Sequence, residues 1–174
     1  QSHILNLMKD LQRTFGLTYL FLSHHLSVVY HISDTVGVMY LGKLVEVQDK
    51  KSLFSNPKHP YTRMLLDTIP DLNMSGRERM PVSGEFPSPT APPSGCSFHP
   101  RCPFANERCS KEAPGYTEIA GGRVACHAVE EGRIPAYNCQ RIDFRADCRV
   151  EHKERALFYV GLMICSLCCV NFFL

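Results

Sequence analysis

A chain of 174 residues is long enough for one ordinary domain, or for a small lobe with an appended module. Hydrophobic residues make up 44% and charged residues 21%, a globular balance, and a net charge of +2 is too small to point to nucleic acid or a polybasic membrane contact. Nine cysteines, none within the first 95 residues, mark a compositional boundary; an odd count without a signal-like start argues against a secreted disulfide scaffold and leaves metal binding, cluster binding or inert thiols.

Ile4, Leu5, Met8, Leu11 and Phe15 recur at helical spacing, with Gly16 at the position of a C-terminal stop, so 2–15 is expected to be a surface helix. Leu17–Leu22 is short, continuous and apolar, the pattern of a strand buried on both faces. Ser23-His24-His25 ends it, Leu26–Ile32 suits a short helix, and Val36–Tyr40 reads as a second buried strand. Helix, strand, polar turn, helix, strand is the rhythm of a parallel α/β sheet. Leu44–Val47 alternates like an edge strand with one exposed side, and Lys51–Phe54 and Tyr61–Thr68 look helical around the prolines of Asn56-Pro-Lys-His-Pro60. Prolines at 70, 81, 87, 89, 92 and 93 describe an extended linker with little regular structure. A cysteine-rich module occupies Gly95 to His127, residues 139–155 are charged and poorly periodic, and 156–174 is an uncharged apolar run.

Cys96, Cys102, Cys109 and Cys126 are separated by five, six and sixteen residues. Four soft thiolates in one proline-stiffened segment suit either a tetrahedral zinc or an iron–sulfur cluster, and the spacing leaves both open, beside thiols that bind nothing. His99 and His127 are further candidates in a zinc version, although packed or surface histidines are their commoner fate. His24 follows a buried strand and so falls at the carboxyl edge of the sheet, where open α/β sheets bind ligands; a solvated histidine is the bland alternative there. Gly37-Val-Met-Tyr-Leu-Gly42-Lys43-Leu44 imitates a phosphate-binding loop, but Leu44 replaces the hydroxyl that magnesium needs and no helix opens after the lysine. The run 156–174, with His152, Lys153 and Arg155 before it, reaches the length of a membrane-spanning or tail-anchor helix, against which Asn171 and Cys165, Cys168 and Cys169 weigh.

Leu17-Thr-Tyr-Leu-Phe-Leu-Ser-His-His-Leu-Ser-Val-Val29, Val38-Met-Tyr-Leu-Gly-Lys-Leu-Val-Glu46, Asn56-Pro-Lys-His-Pro-Tyr-Thr62 and Pro93-Ser-Gly-Cys-Ser-Phe-His-Pro-Arg-Cys-Pro103 resemble the end of the ATP-binding subunits of oligopeptide/dipeptide (peptide/nickel family) ABC importers, densely from residue 1 to about 132. The resemblance implies an α/β fold, a partial P-loop NTPase lobe with parallel strands followed by an irregular Cys-rich extension. The divisions are 1–69 for the end of the nucleotide-binding domain, 70–94 for the linker, 95–132 for the cysteine module and 133–174 for a tail foreign to the family, with an apolar helix over 156–174. His24 falls on the family's switch histidine, which reaches the γ-phosphate of ATP; the family usually carries aspartate where this chain has His25. Cys96, Cys102, Cys109 and Cys126 fall on the positions that bind a 4Fe-4S cluster in the family, with zinc as the alternative. The Walker A, signature and Walker B motifs belong upstream of Gln1, so ATP with magnesium is a cofactor of the complete subunit and the chain alone is not expected to hydrolyse ATP. Implied partners are a second ATPase subunit and the permease subunits, with peptide cargo reached through the permease and a binding protein, and no nucleic acid. The implied location is peripheral, on the cytoplasmic face of the plasma membrane, with 156–174 able to insert. The competing expectations are a stand-alone iron–sulfur or zinc module without ATPase activity, and a tail-anchored membrane protein.

Overall fold

A computed structural model describes residues 2–68, 87–88, 90–137 and 159–163. The chain enters through α1 (Ser2–Phe15), closed by Gly16, whose left-handed backbone (φ 65°) returns its N–H to the Gln12 carbonyl. β1 (Leu20–Leu22), α2 (Leu26–Ile32), β2 (Thr35–Tyr40), β3 (Lys43–Asp49), α3 (Lys50–Ser55) and α4 (Pro60–Asp67) follow. Beyond the linker come a 3-10 turn (His99–Arg101), α5 (Glu107–Lys111), β4 (Tyr116–Ile119), β5 (Gly122–Ala125), α6 (His127–Glu130) and β6 (Tyr159–Met163).

The six strands form one mixed sheet in the order β1-β6-β2-β3-β5-β4. β2, β3, β5 and β4 are antiparallel neighbours, whereas β6 runs parallel to both β1 and β2. The expected parallel strands are therefore found only in part of a mixed sheet: β1 and β2 run in the same direction, each beside β6 and not beside each other, while β2 pairs antiparallel with β3 through a tight hairpin. Leu41 (φ 46°) and Gly42 (φ 74°) are both left-handed, which matches the twist of a two-residue hairpin turn. Lys43 starts a strand rather than a helix, so the phosphate-loop look-alike is a hairpin.

Two strand expectations need correction. Leu44–Val47 is no edge strand: β3 lies between β2 and β5, and Val45, Glu46, Val47 and Gln48 are all buried. β1 is not buried on both faces, since Leu20 is 70% and Leu22 66% exposed while Phe21 packs on the core. Ile4, Leu7, Leu11 and Phe15 of α1 are exposed too, so one apolar face carried by α1 and β1 has no cover among the described residues.

Alternate residues of β2, Val36, Val38 and Tyr40, meet Val29 of α2, Leu53 and Phe54 of α3, and Tyr61, Leu65 and Leu66 of α4 in the main core. Phe98, from the cysteine-rich segment, belongs to that same core, its ring 5.2 Å from Tyr40 and 5.4 Å from Tyr61 between centroids. β3 also pairs with β5, Glu46 opposite Val124, so both parts of the chain share one sheet. Gly122 permits that pairing, because an added Cβ would overlap the Val47 carbonyl and stand 2.7 Å from Gln48 Cα.

Residues 70–86 and 89 of the expected linker lie outside the described residues. So does most of 156–174, where an apolar helix was expected; its described part, Tyr159–Met163, is a strand. Among the described residues no helix is long and apolar enough to cross a membrane.

Candidate functional sites

His24 sits on the turn just past the carboxyl end of β1, between Leu22 and the first residue of α2, and is exposed. Ser23 shapes the turn by accepting the His25 N–H on its hydroxyl at 3.0 Å, and the His24 and His25 rings lie 4.1 Å apart, tilted by 40°. An imidazole held on a short turn with its ring in solvent can donate or accept a hydrogen bond, or a proton, to a ligand outside the sheet edge. His25 beside it caps α2 without a side-chain hydrogen bond.

The second site is the cysteine segment. Gly95 (φ 66°) lets the chain approach α5 so closely that a Cβ there would stand 2.5 Å from the Cys109 carbonyl oxygen. Cys96 N–H then donates to Cys109 O at 2.9 Å, and Ser94 Oγ to Ser110 O at 2.8 Å. Cys109 is fixed in the first turn of α5, where Asn106 accepts its N–H at 3.1 Å. Cys102 follows the 3-10 turn and donates to His99 O, while Cys126 begins α6.

All four thiols are reduced; Cys109 and Cys126 are buried and the other two half-buried. Burial pushes the Cys102 thiol up to about 12 and Cys126 up to about 11, and raises Cys96; negative charge on the neighbouring cysteines pushes each in the same direction. The backbone bond from Cys96 to Cys109 ties two of the four segments together, and Arg133 Nη2 adds a cation 4.0 Å from Cys109 Sγ. The donor chemistry therefore suits a soft metal or cluster, but the arrangement is not closed. Among the described residues no three His, Cys, Asp or Glu side chains are gathered tightly enough to hold a metal ion. His99 and His127 are engaged elsewhere, His99 Nδ1 with Cys96 O at 3.0 Å and His127 Nε2 with Glu112 O at 3.1 Å. Neither joins a ligand set.

A third cluster escaped sequence analysis. Glu46, 0% exposed in β3, accepts the Lys58 N–H at 2.7 Å on one oxygen and the His59 N–H at 3.0 Å on the other, while Gln48 Nε2 donates to it from the same strand. Burial raises its pKa from the ordinary carboxylate value. His59, 1% exposed, caps α4 by accepting the Tyr61 N–H on Nδ1, with Pro60 at the first helical position, where a missing N–H costs nothing. Arg63 completes the corner, donating to Pro57 O at 3.0 Å and to Pro135 O at 2.7 Å. The only signal in the sequence was two prolines around one histidine, directly before a helical pattern.

The model of the oligopeptide/dipeptide transporter C-terminal region matches residues 45–109, from β3 through three of the four cysteines. The oligopeptide transport ATP-binding protein AppF of Bacillus subtilis is 53% identical over 131 residues, 73% of this chain and 40% of that protein. The dipeptide transport ATP-binding protein DppF of Escherichia coli is 48% identical over 136 residues, 78% of this chain and 41% of that protein. DppD of Caldanaerobacter subterraneus, named for the same transport, is 43% identical over 134 residues and 41% of its length is covered. The chain thus spans about two fifths of the length of these relatives.

Proposed function

Because this chain matches the C-terminal part of the ATP-binding subunits of oligopeptide/dipeptide ABC transporters and belongs with them, we propose that it couples ATP binding and hydrolysis to peptide import as part of such a subunit. His24 carries this reading. Its exposed ring just past the carboxyl end of β1 supports the reading that it reaches the γ-phosphate and orients the attacking water. In this reading magnesium and the phosphate-binding loop would belong to the part of such a subunit that this chain does not cover, which would meet the uncovered face of α1 and β1. The proposed division keeps 1–69 as the end of that lobe and 95–132 as the cysteine module. The subunit would pair with a second ATPase subunit beneath the permease, peripheral to the membrane on its cytoplasmic face. Cargo would be reached only through the permease.

A chimera tests this directly. When residues 1–137 replace the matching C-terminal part of the Bacillus subtilis relative, oligopeptide uptake should be retained, and His24→Ala in the chimera should lower ATP turnover by about 100-fold or more. Uptake that is normal with alanine at position 24 would remove His24 from the chemistry.

For the cysteine segment we propose that Cys96, Cys102, Cys109 and Cys126 draw together around a 4Fe-4S cluster, supported by the backbone bond that joins Cys96 to Cys109 and by the match reaching Cys109. Bound there, the cluster would supply a cross-link between four turns of chain. Thiols whose protons are held by burial must lose them to ligate, so uptake of metal is expected to release protons and to weaken as pH falls. Anaerobically purified protein should contain iron and acid-labile sulfide, and Cys102→Ser should lose most of both. Zinc without sulfide would assign the site to zinc instead, and no metal with four titratable thiols would end the proposal.

A further inference from the structure

Arg63 is only 5% exposed, and among the described residues it forms no ion pair. Its Nε and Nη1 donate to the carbonyls of Pro57 and Pro135, and the Tyr137 ring covers the guanidinium with its centroid 5.4 Å from the central carbon. Nη2 has no hydrogen-bond partner among the described residues. Glu46 and Asp67 reach Arg63 only at a distance, because the two oxygens of Glu46 hold the Lys58 and His59 amides and Asp67 accepts the Tyr137 hydroxyl at 3.0 Å. Burial therefore lowers the pKa of the guanidinium, with Glu46, Tyr137, Asp67 and Cys126 acting the other way. A buried cation without a close counter-charge is costly, and an arriving anion would offset that cost.

The same side chain lines an open cavity of about 350 Å³, within the size range of small-molecule sites. The polar lining comes from one segment, Asn56, Lys58 and Arg63, and the apolar lining from another, where Ile119, Val129 and Ile134 are half-buried. Lys58 brings a second cation. Its main-chain N–H is held by Glu46, but its ammonium has no partner among the described residues. Two cationic donors beside an aliphatic wall match a negative head on a short hydrocarbon. We propose that this cavity binds a small aliphatic carboxylate, its oxygens facing Arg63 Nη2 and Lys58 Nζ and its hydrocarbon lying against Ile119, Val129 and Ile134. The site uses neither His24 nor any of the four cysteines, so it stands or falls independently of the transport reading.

Octanoate and 1-octanol, titrated into the whole chain and followed through its amide NMR shifts, separate the charged head from the hydrocarbon. Octanoate should saturate with a Kd of about 1 mM or tighter and move amides within 56–63 and 119–136, while 1-octanol should bind at least ~10-fold more weakly. Arg63 also holds Pro57 and Pro135, so the variants spare it. Lys58→Met should weaken octanoate by about 5-fold or more and leave 1-octanol unchanged. Ala120→Trp, which fills the cavity from the exposed turn between β4 and β5, should abolish binding of both. The proposal is overturned by the absence of saturable octanoate binding below about 10 mM, by equal affinity for octanoate and 1-octanol, or by octanoate affinity that survives either variant.

Discussion

Acidification from about pH 6.5 to about pH 3 should cost the folded chain on the order of 4 kcal/mol through His59 alone. Complete burial lowers its pKa to about 3, from 6.5 in an open chain. The sign follows from which state binds the proton. Above pH 6.5 neither state is protonated and the stabilisation is intact; below it the unfolded chain takes up a proton that the folded chain refuses, and stability falls by about 1.4 kcal/mol per pH unit until the folded value is reached. Protonation would also convert Nδ1 from acceptor to donor and break the cap on Tyr61 N–H. Glu46 acts in the opposite sense: its raised pKa gives a contribution that is complete below the ordinary carboxylate value and is lost as pH rises. Urea unfolding at successive pH values should show the His59 slope, and His59→Asn, which keeps a capping acceptor without a titrating group, should flatten it. An unaltered slope in His59→Asn would refute the assignment.

Replacing Glu46 by alanine should be as damaging, about 3–5 kcal/mol, and at neutral pH. Its two oxygens are the acceptors of two consecutive backbone amides, those of Lys58 and His59, and of the Gln48 side chain. Alanine strands all three donors where water cannot reach them, at about 1–3 kcal/mol for each. Glu46→Gln keeps one acceptor oxygen and should lose only about 1–2 kcal/mol. The ordering of the two variants in urea midpoint is the decisive readout. Equal and small losses would mean that the Pro57–Pro60 turn holds itself without β3.

Local periodicity made the first four helices legible, whereas the cysteine segment, expected to be irregular, carries α5, α6, β4 and β5. α1 and α2 fall where apolar spacing and terminal signals place them, and α3 and α4 within a residue or so. The failures share a cause, which is pairing at a distance. β3 carries Lys43, Glu46, Gln48 and Asp49, polar residues that suit an edge when only neighbours in sequence are considered, but its second partner, β5, arrives from beyond residue 120. Glu46 is instead consumed by the amides of residues 58 and 59, Gln48 donates to it, and Asp49 accepts the Ser52 N–H. β1 failed in the other direction: an apolar run announces a buried strand, and Leu20 and Leu22 are exposed because no described residue covers them. Chemistry was partly legible. Spacing alone singled out four cysteines, yet no spacing rule told whether they close around an ion. His24 was placed correctly at a strand's carboxyl end because the turn is local.

Phe98 has a consequence for the order in which this chain acquires its shape. Tyr40 and Tyr61 are brought together by segments close in sequence, a hairpin and two short helices, whereas Phe98 enters their contact from beyond the linker, and β5 meets β3 across a similar distance. Closing a longer loop adds only about 0.6 kcal/mol for each doubling of its length, but it delays the encounter. The aromatic socket is therefore complete on two sides before its plug has been synthesised, and a nascent chain paused at the linker would present it to any passing apolar segment.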